Sequence, residues 1–315
     1  MLKADQINEA VTLLKNGEII AIPTETVYGL AADATNDEAL RKIFAAKNRP
    51  LGHPLIVHIE SFDKVTDWAE HIPKNAEILA KEFWPGPITM IFQKRKTVSD
   101  LITGGLDTVA LRVPNHPIAL EIIRKLKKGL AAPSANTHKK LSPTKPEHVL
   151  KKLKGKIAAV LDGGVCGVGI ESTIIDITKE TPIILRPGAV TANAIEKALN
   201  TKVDQPFNHC EKVSGNMNVH YQPNKPLLVL PKKELELKLK SEKNIAIIHH
   251  SIIENLSSAK LYQMPTTKAE YAKKLYEILH HVDETNVRKI FVEEPPTSND
   301  WDCINDRLKR ASSKH

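Results

Sequence analysis

Cysteine is scarce in this chain of 315 residues: Cys166, Cys210 and Cys303 are odd in number and far apart. No CxxC spacing for zinc or redox work is present, so the three are read as reduced, incidental thiols. Aromatic residues make up only 4%, and no basic run is interleaved with Tyr or Phe. A stacking platform for single-stranded RNA is therefore not evident. No apolar run approaches the roughly 20 residues that span a bilayer. Nor does Met1-Leu2-Lys3-Ala4-Asp5-Gln6 lead a basic stretch into an apolar one, which makes the cytoplasm the expected compartment and excludes a membrane partner. Low-complexity tracts and solenoid or coiled-coil periods are missing too.

What is there fits a soluble globular protein, with 41% hydrophobic and 26% charged residues. The length suits about two domains at roughly 150 residues each. A formal net charge of +8 favours anionic partners such as nucleotides or RNA.

The chain is organised around Lys47-Asn48-Arg49-Pro50-Leu51-Gly52-His53-Pro54, which sets two spaced cations ahead of the apolar run Leu55–Ile59. Lys meets a phosphate as a mobile point charge and Arg as a rigid two-pronged donor. The same pair also occurs on ordinary solvated surfaces, so other segments must decide. Asn36 starts a helix whose apolar stripe is Ala39, Ile43, Phe44 and Ala46, so Lys47 falls near its end and the pair sits on a helix-to-strand loop. His58, inside the strand that follows, reads by itself as a satisfied core residue.

Upstream, a helix over 4–16 feeds the strand 18–22, and Pro23–Leu30 forms a turn with two hydroxyls and a carboxylate at the strand's C-terminal end. Downstream, Pro85-Gly86-Pro87 introduces the strand 88–92. The period of two in 108–113 turns Thr108, Ala110 and Arg112 to one face and Val109, Leu111 and Val113 to the other. A helix follows over 116–127, then Pro133-Ser134-Ala135-Asn136, Ser142-Pro143-Thr144, a helix at about 146–153 and the strand 157–161. The glycine-rich 162–173 is neither a Walker loop nor a GxGxxG before a helix, because Thr173–Ile177 reads as strand. Arg186 and a helix at 191–199 close a first domain over 1–200. Residues 201–225, with His220 and Tyr221, form a linker without periodicity. The region 226–315 reads strand, strand, strand, helix, strand, helix: a small α/β domain.

Taken together, Pro23–Leu30 with Ala31-Ala32-Asp33-Ala34, Lys47-x-Arg49, Pro85-Gly86-Pro87, Arg112-Val113-Pro114, Ser134-x-Asn136, Gly169-Ile170-Glu171-Ser172-Thr173, Leu185-Arg186-Pro187-Gly188, His220-Tyr221-x-Pro223 and Arg307-Leu308-x-Arg310-Ala311 resemble the YrdC-like family, in its two-domain branch of L-threonylcarbamoyladenylate synthases. The likeness covers nearly the whole chain. It departs at Ala32, where a glycine is common, after Asn136, where serine-glycine usually follows, and over Asn299–Asn305, which lacks a glycine-rich turn.

The resemblance implies a twisted open mixed sheet with helices around a concave basic cavity, and a smaller Rossmann-like C-terminal α/β domain. It implies that L-threonine, bicarbonate or CO2 and ATP give threonylcarbamoyl-AMP and pyrophosphate, the activated donor for a tRNA modification. Position by position, it puts Thr26, His58, Arg112, Ser134 and Ser172 around threonine, and Lys47, Arg49, His53, Thr108, Asn136, Thr144, Arg186 and Tyr221 around ATP, with Lys47 and Arg49 catalytic and the linker a lid. Mg2+ is expected with ATP, on substrate and water, with no metal ligand among the residues and no organic cofactor. tRNA and threonylcarbamoyl-transferring proteins are the further partners. The rival reading is a non-catalytic module of the same fold that binds tRNA or double-stranded RNA.

Overall fold

The computed structural model describes residues 1–206, 213–215, 219–253 and 259–312; Cys210 and parts of the 201–225 linker lie outside them. The chain divides into two compact units. The first comprises 1–138, 143–167 and 171–216, and the second comprises 139–142, 168–170 and 217–315.

In the first unit the described elements run α1 (Ile7–Lys15), β1 (Ile20–Ile22), β2 (Gly29–Asp33), α2 (Asp37–Lys47), β3 (Ile56–His58), α3 (Lys74–Phe83), β4 (Ile88–Gln93), α4 (Asp100–Thr103), β5 (Thr108–Arg112), α5 (Pro117–Leu126), β6 (Leu130–Ala131), α6 (Pro146–Leu153), β7 (Ala159–Val160), β8 (Thr173–Asp176), β9 (Ile183–Arg186) and α7 (Ala192–Leu199), with a 3-10 turn over Phe62–Asp67. The strands form one mixed sheet in the order β7-β1-β2-β6-β3-β5-β4-β8-β9. Three pairs are parallel (β1/β7, β3/β5, β4/β8) and the others antiparallel, β1/β2, β2/β6 and β6/β3 in succession.

Several strands are short and apolar on both sides because the sheet is covered on both sides. In β1, Ile20 and Ile22 join one core with Ala10, Leu14 and Ile122 from α1 and α5. The intervening Ala21 joins the other core with Leu40, Ile43 and Phe44 from α2. Pro23–Leu30 proves to be only partly a turn. Its last two residues open β2, which pairs antiparallel with β1 and β6. Gly-Leu-Ala-Ala-Asp carries no β-branched residue, so partners on both edges, not intrinsic propensity, make it a strand.

The helix that delivers the cation pair is locally specified at both ends. Asn36 Oδ1 accepts from the backbone N–H groups of Glu38 (3.0 Å) and Ala39 (3.2 Å), with Asp37 and Glu38 in the first turn. Asn48 caps the other end in the left-handed region (φ 51°), which asparagine tolerates better than most residues. The chain thereby turns out of α2 immediately after Lys47.

The second unit comprises β10 (Leu227–Leu230), α8 (Lys232–Ser241), β11 (Ile245–His249), β12 (Lys260–Gln263), α9 (Lys268–Asp283), β13 (Lys289–Glu293) and α10 (Asp302–Ser312). Its sheet, β10-β13-β11-β12, is parallel throughout. α8 is absent from the sequence reading because Leu235, Leu237 and Leu239 mimic the period of a strand. Leu235 and Leu239, one helical turn apart, are buried, whereas Leu237 is 63% exposed. No helix among the described residues is long and apolar enough to cross a membrane.

Candidate active site

The alternation of the central strands divides the sheet of the first unit into two faces. Val57, Met90, Phe92, Val109 and Leu111 enter the main core. Their neighbours in sequence turn the other way: Ile56 and His58 in β3, Thr89 and Ile91 in β4, Thr108, Ala110 and Arg112 in β5. On that second face Ile56, Ile91, Ile174 and Leu185 form a small apolar cluster with Val213 seated on it. Thr108 borders the same cluster beside Val213 and Ser214, at a gap of about 20 Å³. Part of the nominal linker is thus packed onto the first unit.

Register carries the polar groups of this face together. His58 and Arg112 lie opposite each other across β3 and β5. Both are buried, at 3% and 4% exposure. Burial, and after it the Arg112 charge, hold the His58 imidazole at a pKa of about 3, against an ordinary 6.5. The Arg112 guanidinium reaches three groups. Nε donates to Gly86 O (3.2 Å), Nη1 donates to Thr26 Oγ1 (3.0 Å), and Nη2 stands 2.6 Å from Glu25 Oε1. Thr26 Oγ1 also shares a hydrogen bond with Thr24 Oγ1 (2.9 Å).

A second group centres on Ser172, just ahead of β8. Its Oγ pairs with Thr89 Oγ1 (2.8 Å) and accepts from Arg186 Nη2 (3.0 Å), while its carbonyl accepts from Arg186 Nη2 (2.8 Å) and Nε (3.1 Å). Arg186 Nη1 donates to Ser214 O (2.7 Å), so the same side chain ties down residues 213–215. Gly188 leaves no room behind this arrangement, since a Cβ there would stand 2.2 Å from Thr173 N and 2.4 Å from the Ser172 carbonyl carbon. Gly188→Ala is expected to shift that backbone and to cost about 3 kcal/mol or more, read as a lowered urea midpoint. An unchanged midpoint would mean that the 172–173 backbone yields freely.

The third group is the cation pair. Lys47 is 2% exposed, and its Nζ donates to the carbonyls of Ser134 and of Asn136 (2.7 Å for the latter). His138 N returns a bond to Lys47 O (2.7 Å), which clips the 134–138 loop to the end of α2. Desolvation, and then the Arg49 charge, lower the Lys47 pKa well below 10.5. Arg49 Nη2 donates to Pro54 O (2.9 Å) just before β3. His53 is half-buried, its ring centroid 5.5 Å from that of His138.

Thr144 Oγ1 is fully buried without a hydrogen-bond partner, although Thr144 N donates to His148 Nδ1 (3.3 Å). Tyr221 belongs to the second unit, where it is 1% exposed with Arg307 over its ring (5.0 Å) and Tyr276 at 6.0 Å. Two participants escape the sequence reading. Glu25 is noted there only as a turn carboxylate, and Thr89 only as part of a strand. A polar residue alternating with the core residues Ile88, Met90 and Phe92 is the signal that would have found Thr89. Among the described residues no group of three or more His, Cys, Asp or Glu is placed to hold a metal ion.

The His58 shift has a consequence for stability. Below about pH 6.5 the unfolded chain takes up a proton at His58 that the folded chain refuses until about pH 3. Stability attached to this residue is therefore intact above pH 6.5 and drains as pH falls towards 3, by up to roughly 1.4 kcal/mol per pH unit. His58→Gln should flatten that part of the curve of urea midpoint against pH, and an equally steep curve would count against a buried neutral imidazole.

Similarity to known proteins runs along nearly the whole chain. Residues 12–188 match the family of Sua5, yciO and yrdC, described as telomere recombination. Residues 190–313 match the C-terminal domain of threonylcarbamoyl-AMP synthase. The threonylcarbamoyl-AMP synthase of Pyrococcus abyssi is 38% identical over 98% of this chain and 94% of its own length. The chain belongs to the threonylcarbamoyl-AMP synthase family. The Bacillus subtilis member is 37% identical over 98% of this chain and 93% of its own length. The crystal structure of Pyrococcus abyssi Sua5 complexed with L-threonine superposes with a TM-score of 0.91 at 37% identity, covering 99% of this chain and 96% of the other. The mixed sheet and the smaller parallel domain are thus the family's architecture.

Proposed function

We propose that this protein forms L-threonylcarbamoyl-AMP and pyrophosphate from L-threonine, bicarbonate or CO2, and ATP. The observation that carries this reading is the end-to-end likeness, in sequence and fold, to a threonylcarbamoyl-AMP synthase crystallised with L-threonine. The threonine ammonium gives up one proton, and the neutral amine then adds to CO2 and loses a second, giving a carbamate. A carbamate oxygen then bonds to the α-phosphorus of ATP while the bond to the β-phosphate oxygen breaks and pyrophosphate leaves. This chemistry calls for alignment and charge neutralisation, with no protein nucleophile.

In this reading Arg112 receives the threonine carboxylate, with Thr26, His58, Ser134 and Ser172 around the rest of the amino acid. A neutral imidazole at His58 adds no competing cation there. Lys47 and Arg49 face the phosphates and the charge that develops on them. Thr108, Asn136, Thr144 and Arg186 orient the nucleotide, joined by His53 and Tyr221. Any Mg2+ arrives on the phosphates, with no side chain assigned to it. The product is an activated carbamoyl donor, so a transferring protein and tRNA lie downstream, and the cytoplasm is where they meet it.

The experiment is pyrophosphate release from ATP by purified protein, with and without L-threonine and bicarbonate, with serine and glycine as controls. Release that requires both threonine and bicarbonate is expected. Salt-sensitive tRNA binding without any release would favour the non-catalytic module instead.

A further inference from the structure

Glu25 has a place in the site that the reading above leaves without a purpose. It lies between Thr24 and Thr26 in the turn ahead of β2, and its side chain is only 10% exposed. Its Oε1 is 2.6 Å from Arg112 Nη2, close enough for an ion pair, yet neither carboxylate oxygen makes a directed hydrogen bond. Arg112 Nη2 is likewise buried without one, whereas Nε and Nη1 are committed to Gly86 O and Thr26 Oγ1. A buried pair in contact but unsatisfied on both sides is costly unless something else completes it. What completes it must bring a carboxylate for Arg112 and a cationic donor for Glu25, and a free α-amino acid carries both on one carbon.

Resting on the proposed function, we infer that Glu25 binds the α-ammonium group of the incoming amino acid and, before it arrives, occupies Arg112 in place of the substrate carboxylate. Binding is then an exchange of ion pairs: Arg112–Glu25 gives way to Arg112–carboxylate and ammonium–Glu25. No charge is left buried alone at either end of the exchange, which accounts for an acidic residue beside an anion-binding arginine. The site thereby selects a zwitterion over a simple carboxylic acid.

The test compares two ligands on Glu25→Gln by calorimetry: L-threonine, and the analogue with hydroxyl in place of the amine, 2,3-dihydroxybutanoate. Glu25→Gln should weaken L-threonine binding by at least about 30-fold, raising KM more than it lowers kcat. The dihydroxy acid should bind the variant as tightly as the wild type or more tightly, because Arg112 has lost its internal competitor. A merely structural Glu25 would weaken both ligands together, and that result overturns the inference. Glu25→Asp, which keeps the charge but shortens its reach, covers the case in which the Gln variant fails to fold. It should lose threonine affinity selectively, and an equal loss for both ligands again overturns the inference. Wild-type protein that binds neither ligand overturns the proposed function along with it, whereas wild-type binding with non-selective variants overturns the role of Glu25 alone.

Discussion

Lys47→Met is expected to lower threonine- and bicarbonate-dependent pyrophosphate release by about 1,000-fold or more while leaving the protein folded. Removing one preorganised charge from a buried site ordinarily costs about 100- to 1,000-fold, and a lysine assigned to the phosphates acts on both substrate and leaving group. Stability should respond weakly, because two effects oppose each other. The variant removes a donor from the carbonyls of Ser134 and Asn136, at a cost of about 1–3 kcal/mol where a buried acceptor is left unsatisfied. It also removes the cost of holding an ammonium at 2% exposure. The wild type carries a further signature. Its Lys47 pKa is lowered on folding, so between that lowered value and the ordinary 10.5 the unfolded chain binds the extra proton. Stability therefore rises with pH through that window, and this rise should vanish in the variant. Activity within tenfold of wild type would remove Lys47 from the chemistry.

Arg112→Met is expected to damage both function and fold. It leaves the Glu25 carboxylate buried without its counter-charge, a defect that ordinarily costs about 3–5 kcal/mol. It also strips a donor from Thr26 Oγ1 and Gly86 O. Threonine binding should be lost with it. The double variant Arg112→Met with Glu25→Gln removes the orphaned charge and should regain most of the lost stability without regaining turnover, a strongly non-additive cycle. Urea midpoints of the two single variants and the double variant check this. Additive losses would mean that the two side chains do not act as a pair.

How much of this was legible in the sequence depended on separation along the chain. The cation pair was visible because a capped helix start and an apolar strand are local signals, and both appear as read; the Asn48 cap that ends the helix was not read. The common face of Thr108 and Arg112 followed from a period of two, and β4 adds Thr89 to that face by the same rule. What the sequence hid was long-range. Glu25 meets Arg112 across 87 positions, and Thr89 meets Ser172 across 83, so no spacing announces either. β2 was hidden by small residues that become a strand only between two partners, and α8 by leucines at every second position. Val213 sits in a segment without periodicity, and its role as a cover for Ile56, Ile91 and Ile174 exists only once the sheet is assembled.

The central claim is the fate of the bicarbonate carbon, and isotopically labelled bicarbonate with ATP and L-threonine tests it directly by mass spectrometry of the nucleotide product. The account predicts one adenylate that contains threonine and the labelled carbon, formed in equal amount to pyrophosphate and lost in Lys47→Met and Arg112→Met. An unlabelled adenylate of threonine, or pyrophosphate released without any such adduct, would contradict it.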